Sequence, residues 1–413
     1  MDRRLLTTLL ALGTAGCSLP WADPGACAAP DPEAVAGQAR HSIETRAFRA
    51  GATVDAAGRP FAARLPEGFG AGEAVVSWPD PGRFAGAPDE LLALSTRSFV
   101  YDNALLALER TRSGDRAGAA ALLATLAALQ LPDGAWGFSF DLEGPFYDAG
   151  YVRAGTVAFA VYAFAKYASR FDDHRFRAFA GRGADWLLAS RDPLTGLVLA
   201  GRGRWLESGR RFDGSYVADF VATEHQIDSY FALAALGGVD PDGPWSGGAR
   251  AIEQAILRWL WDEEEGRFVQ GHAASRGHDR GSALDAAGTW GALFHLAGGR
   301  LEEARRCLAW VERSHRSGGG LKPYADGPDT WFVEGSVAHA LAWHRLAPAE
   351  GQAAASLQRI AALGCSTGLP LIYADRWAED FPVAPAAAPT LWFVLAAEEI
   401  RGRGAPFLWS EGT

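Results

Sequence analysis

Apolar positions recur along this chain in two alternating registers. One set of segments is apolar nearly all round: "SFVYDNALLALER" (98–110), "RAGTVAFAVYAFAKYA" (153–168), "TEHQIDSYFALAAL" (223–236), "SALDAAGTWGALFHLA" (282–297), "DTWFVEGSVAHALAWHRLA" (329–347) and "APTLWFVLAAEEI" (388–400). The other set is apolar on one side and charged on the other, as in "AIEQAILRWLWDEE" (251–264) and "LEEARRCLAWVERSH" (301–315). A helix of this second kind over 31–50, with Asp31 as cap and Pro32 in its first turn, opens the series. Helices apolar on every face are buried, and one-sided helices cover them. Six of each, in alternation, predicts an all-α double ring in which no single unit buries its own face.

Short turn pieces separate the helices: "LPDGAWGFSFD" (131–141), "DPLTGLVLAGRG" (192–203), "DEEEGRFVQGH" (262–272), "SGGGLKPYADGPD" (317–329) and "STGLPLIYADRW" (366–377). In such a ring the inner helices run the same way, so their N-termini and these β-like turn pieces gather at one end. Any chemistry is expected there. The alternation predicts one closed domain over 29–413, with a Gly/Pro-rich irregular segment at 51–96.

The inner helices open on acids and aromatics, in "VYDNA", "TEHQID" and "TWFVEG". With the alternation over residues 31–400, this resembles the six-hairpin (α/α)6-barrel carbohydrate enzymes, which include glycoside hydrolases, polysaccharide lyases and sugar epimerases. The resemblance is to the superfamily. The "SEG" opening of one well-known cellulase group is replaced here by "VYDNA". What the resemblance implies is a polysaccharide or oligosaccharide substrate, no cofactor and a monomeric enzyme; many enzymes of this barrel invert configuration.

Acids in a first helical turn face free N–H groups and the positive end of the dipole, so capping alone can account for them. Thr223 with Gln226 reads as a capping box around Glu224, and Ser282 with Asp285 shows the same spacing. Asp228 and Glu334 are different: counted from caps at Thr223 and Asp329, each lies five residues in, within apolar surroundings. A buried carboxyl without partners costs several kcal/mol. Sugar hydrolysis needs such groups, one acid of raised pKa to protonate the leaving oxygen and one carboxylate to activate water or attack. Glu334 is therefore expected as general acid and Asp228 as base, with Glu224 a rival for either role and Asp102 holding substrate or water. The competing structural reading pairs Asp228 and Glu334 with Arg153 or sets them in a buried hydrogen-bond network.

Tyr101, Trp136, Tyr151, Arg153, His225, Trp290, Trp331 and Trp377 fall in turn pieces or at inner-helix starts, and are expected to contact the sugar. Glu224, His225 and Asp228 do not share one helical face and no HExxH occurs, so no metal site is expected. A lyase or epimerase on the same barrel would take its base from Tyr101, His225 or Tyr230. A non-catalytic glycan-binding lipoprotein would keep the tryptophans and dispense with the acids. "LQLPDGAWGF" (129–138) looks like one copy of the terpene-cyclase repeat, but the DxDD motif of those toroids is missing.

Charge narrows the partners. The chain has 39 basic and 49 acidic residues, and Lys166 and Lys322 are its two lysines; without a basic cluster, nucleic acid is excluded. The start "MDRRLLTTLLALGTAGCS" has a charged opening, a short apolar run and then Cys17, the layout of an export signal over 1–28. "TAGC" resembles a lipobox with Thr14 at an unusual position, so either lipidation of Cys17 or cleavage near Ala28 is expected. The protein is expected in the periplasm, on the membrane through a lipid, or secreted. Cys27, Cys307 and Cys365 lack any CxxC spacing for zinc.

Overall fold

In a computed structural model, the structure describes residues 31–44, 47–49, 73–77, 96–142, 147–206, 211–327, 329–363, 369, 372–373, 386–402 and 406–410. Cys17, Cys27, Cys365, Trp377, the expected export signal over 1–28 and most of 51–96 lie outside these. Cys307 is a buried free thiol. No described helix is long and apolar enough to cross a membrane.

Twelve α-helices make up the described architecture. The odd-numbered ones are α1 (Pro32–Glu44), α3 (Arg116–Leu129), α5 (Arg177–Ala189), α7 (Trp245–Trp259), α9 (Leu301–Ser314) and α11 (Gln352–Ala361). The even-numbered ones are α2 (Val100–Ser113), α4 (Ala154–Phe171), α6 (Thr223–Val239), α8 (Trp290–Ala297), α10 (Val333–Leu346) and α12 (Ala387–Ile400). Each even helix packs on the next, and α12 packs on α2, so the even helices close a ring. Odd helices cover it from outside, and α1 closes the outer layer by packing on α12 and α11. This is the (α/α)6 barrel.

Residue type explains the division. In α4, every residue from Ala154 to Ala168 is buried, because Ala, Gly and aromatic side chains fill space on all sides. In α9 only Ala304, Cys307, Leu308 and Val311 are buried, the one apolar face of "LEEARRCLAWVERS". Each fully buried Leu or Phe in such a core contributes roughly 1.5–3 kcal/mol.

At the N-terminal ends of the inner helices, short strands form a relay. Arg97–Phe99, before α2, pairs with Ser139–Asp141; Val152–Arg153, before α4, pairs with Gly201–Leu206. Phe220–Ala222, before α6, pairs with Gly271–Ala273, and Trp331–Phe332, before α10, pairs with Ile372–Tyr373. Ala283 bridges to Tyr324 in the same way. Each turn piece is thereby tied to the start of the inner helix before it. The approach is closest at Gly201, whose φ is +131° and where a Cβ would stand 2.0 Å from the Val152 carbonyl oxygen.

This relay replaces the expected caps. The N–H groups of Val100, Ala154, Thr223, Leu284 and Ala387 donate to the carbonyls of Phe138, Ala200, Gln270, Pro323 and Ser77. Accordingly α2, α4, α6 and α12 have no side-chain cap, and α10 has none either. The capping box at Thr223 and Gln226 does not form. The Thr223 hydroxyl donates to the Val269 carbonyl at 2.6 Å, and the Gln226 amide clamps both backbone groups of Val198 at 2.7 and 2.8 Å. Asp329 caps nothing in α10; it accepts from the Ser317 hydroxyl, and the helix begins at Val333. The chain preceding α8 is a π-helical turn, Asp285–Thr289.

Candidate active site

The corrected helix starts change the depths of the acids. Tyr101, Glu224 and Glu334 are each the second residue of α2, α6 and α10, three alternate inner helices, and therefore stand at one level near the rim. Asp228 is the sixth residue of α6, one turn or about 6 Å deeper. Asp228 and Glu334 thus do not share a depth. On α4 the second residue is Gly155, where a Cβ would lie 2.6 Å from the His225 ring and 2.9 Å from Asp228 Oδ2. Only glycine leaves room for that pair against α4.

Glu334 is 6 % exposed and accepts a hydrogen bond from the Tyr101 hydroxyl at 2.6 Å. The Trp392 indole N–H of α12 donates to the same hydroxyl oxygen at 2.8 Å. Burial pushes the Glu334 carboxyl up to about 8; the Tyr101 hydrogen bond opposes the rise, and the charges of Asp102 and Asp285 add to it. Burial also drives the Tyr101 phenol well above its ordinary value, with Glu334 beside it, so Tyr101 stays a donor.

Asp228, also 6 % exposed, has a buried Oδ1 without a hydrogen-bond partner. Burial raises its pKa well above the ordinary range, and the charges of Glu224, Asp285 and Glu334 raise it further. Glu224 is pushed up to about 8 by burial and then by Asp285 and Asp279, and its Oε2 is likewise unpartnered. Asp285, at the start of the π-helical turn, accepts from the Ala286 N–H at 2.8 Å, and burial raises its pKa. Asp102 rises to about 7 through burial, opposed by a hydrogen bond from Ser77. These carboxyls cannot all be ionised at neutral pH. The positive ends of α6 and α10 ease ionisation of Glu224 and Glu334 alone.

His225 lies 4.0 Å from Glu224, Nε2 to Oε1, and its Nδ1 is buried without a partner. Burial, then the charge of Arg153, lower its pKa to about 3, so the imidazole is neutral. Arg153 is not an ion-pair partner of the acids. Its guanidinium donates to the carbonyls of Val152, Arg202 and Gly203 and lies 3.8 Å over the Tyr151 ring.

The aromatics divide. Trp136 is fully buried, donates to the Leu126 carbonyl at 2.6 Å and packs on Phe164, so its ring has no face for a sugar. Tyr151 is buried between Arg153 and Phe138. Trp290 is buried against Trp392, and Tyr230 packs between Phe231 and Phe294. Trp331 stays half-buried on the rim strand before Glu334. Among the described residues, no three His, Cys, Asp or Glu side chains are grouped to hold a metal ion.

Sequence reasoning set Asp285 aside as a cap and passed over Trp392. The Ser282 spacing disguised Asp285, whereas its charge acts on Glu224, Asp228 and Glu334. Trp392 had no signal beyond its place in the last inner helix.

The fold is an (α/α)6 barrel of six helical hairpins with carboxyls gathered at one end of the inner ring. Solved structures agree: a glycosidase variant in complex with glucose superposes with a TM-score of 0.62 at 14 % identity, over 90 % of this chain and 98 % of that one. A D-mannose isomerase superposes with a TM-score of 0.61 at 10 % identity, over 90 % and 97 %. An alpha-mannanase of Bacteroides thetaiotaomicron does so at 0.56 and 11 %, over 92 % and 99 %. No protein-family model matches the chain, and no curated protein matches it in sequence.

Proposed function

We propose that this protein is a glycoside hydrolase that uses Glu334 as general acid. The observation that carries this is the Glu334 carboxyl, buried, held protonated near neutral pH and oriented by Tyr101, level with the carboxyl of Glu224 and one turn above that of Asp228, both of which keep an unpartnered oxygen. A proton passes from Glu334 to the glycosidic oxygen as the anomeric C–O bond breaks. One carboxylate of the Glu224 and Asp228 pair takes a proton from the water that adds to the anomeric carbon, Glu224 being the easier to ionise at the start of α6, while the other and Asp102 orient hydroxyls or the water. Mutual repulsion favours one ionised carboxylate among Glu224, Asp228 and Asp285, which suits a site needing one acid and one base. Glycosidase and mannanase neighbours on the same barrel support the substrate class, and the export-like N-terminus adds that the glycan lies outside the cytoplasm.

The test is incubation of the purified protein with neutral and acidic polysaccharides and oligosaccharides, following new reducing ends together with the ultraviolet absorbance of unsaturated products. New reducing ends without absorbance, lost in Glu334→Gln, support hydrolysis. Both signals together mean a lyase and sink the proposal.

A second reading has one observation in its favour. His225 is neutral with an open Nδ1 beside two carboxyls, and a neutral imidazole can move a proton on a sugar carbon. An isomerase or epimerase would convert free monosaccharides without forming reducing ends, and His225→Ala would abolish that conversion.

A further inference from the structure

The segment Pro406–Ser410, after α12, returns to the barrel and places Trp409 on its axis. The ring is 1 % exposed and touches four inner helices: Phe159 of α4 (6.0 Å between centroids), Phe231 of α6 (5.6 Å, stacked), Trp290 at the start of α8 (5.4 Å) and Trp392 of α12 (5.1 Å). Phe159, Trp290 and Trp392 are themselves one turn below the rim, and Phe159 meets the Tyr101 ring edge-on at 4.6 Å. Trp409 is thus the floor beneath the carboxyls.

Its backbone is held for that purpose. Trp409 has φ +46°, a left-handed conformation that side chains other than Gly, Asn and Asp rarely adopt and that persists only where surroundings over-determine it. The Trp409 N–H donates to the Tyr162 hydroxyl at 2.9 Å, and that hydroxyl donates to the Phe407 carbonyl at 2.8 Å. Arg345 donates to the carbonyls of Leu408 (2.6 Å) and Trp409 (3.2 Å) while paired with Glu399. A core tryptophan needs none of this: Trp136 is fully buried with one hydrogen bond to Leu126 and ordinary backbone.

From this geometry we propose that Trp409 is a positioning residue for Glu334, sealing the barrel from its far end and pressing Trp392 against the Tyr101 hydroxyl that donates to Glu334. It acts through contiguous contacts: Trp409 to Trp392 by ring packing, Trp392 to Tyr101 and Tyr101 to Glu334 by hydrogen bonds. Without the plug, water reaches the base of the acid from below, and the burial that keeps it protonated is lost. This rests on the reading of Glu334 as the acid.

The test follows the Trp392 indole N–H by nitrogen-15 NMR through a pH titration of the full chain, the resonance being assigned by its loss in Trp392→Phe. In the unaltered protein it titrates with a midpoint near 8, matching Glu334, and the titration vanishes in Glu334→Gln. Trp409→Ala lowers the midpoint by about one unit or more, the direction expected when desolvation is relieved. Trp409→Phe restores most of it. Tyr162→Phe, which frees the tail and keeps the ring, shifts it the same way by less, and decides the matter if Trp409→Ala does not fold. A midpoint unchanged in folded Trp409→Ala and Tyr162→Phe overturns the proposal, as does a Trp392 resonance that never titrates. No substrate is involved, so a chain that hydrolyses nothing still answers this test, and a hydrolase with an unmoved midpoint loses only the positioning role.

Discussion

The two ends of this barrel bury the same kinds of residue and treat them in opposite ways. At the far end, where the inner helices finish, carboxylates are paired: Glu399 takes Arg345 at 2.7 and 3.0 Å, and Glu109 takes Arg40 at 2.7 Å. Arg112 stands 3.2 Å from Glu398. At the other end, Glu224 and Glu334 on the rim and Asp228 one turn below it have no such cation among the described residues, and Glu224 and Asp228 each keep an oxygen without a partner. Pairing makes a buried charge tolerable, and leaving it unpaired raises its pKa and makes it reactive. The contrast separates charges that hold the barrel together from the carboxyls proposed for chemistry, whose burial costs stability.

The sharpest way to break this comparison is Glu334→Gln. It is expected to lower kcat by about 10²–10⁴-fold while leaving the fold intact, the usual span for loss of a general acid. Full activity in a folded Glu334→Gln protein would end the assignment. At the far end the same change should act mainly on stability: Glu399→Gln orphans Arg345 and is expected to cost about 3–5 kcal/mol in urea unfolding, with a loss of kcat far smaller than that of Glu334→Gln.

Asp228→Asn joins the two arguments. Removing a buried, unpartnered carboxyl whose pKa is raised is expected to raise stability at pH 8 by roughly 1–3 kcal/mol even as turnover falls. A stability loss there would mean that Asp228 has a structural partner.

The pH dependence carries its own sign. Glu334 has a folded pKa of about 8, raised from an ordinary 4.5, so the native state holds its proton over that range while the unfolded chain releases it. Stability from this group is fully present below about 4.5 and is lost as pH rises to about 8, a loss absent in Glu334→Gln. Turnover should fall about tenfold per unit above pH 8 as the acid ionises. The smallest effect is expected at the rim: Trp331→Ala should raise KM about two- to tenfold with kcat nearly unchanged, the worth of one stacked ring.

Much of this was legible in the chain. Alternation of all-round and one-sided apolar helices is a local property, so the six inner helices and the outer ones over 31–50, 251–264 and 301–315 could be placed from it, with α8 starting late after its π-helical turn. The exceptions have one cause. Thr223, Gln226 and Asp329 look like caps in a linear reading, yet in the folded chain the helix starts are satisfied by carbonyls that approach from sequence-distant turn pieces. With the caps went the equal depth of Asp228 and Glu334. Trp136 and Trp290 failed as platforms for a related reason, since position in a turn piece does not say which face of a ring other helices cover.

By itself, then, the sequence determined the ring of hairpins and the buried acids Glu224, Asp228 and Glu334 near the starts of the inner helices, because periodicity and an acid in an apolar run are readable one residue at a time. Only the tertiary structure decided that Tyr101 and Trp392 hold Glu334, that Asp285 stands among the acids and that Trp409 seals the floor. Those contacts join residues 101, 334, 392 and 409, brought together by ring closure, and no local pattern encodes which side chains meet on the axis.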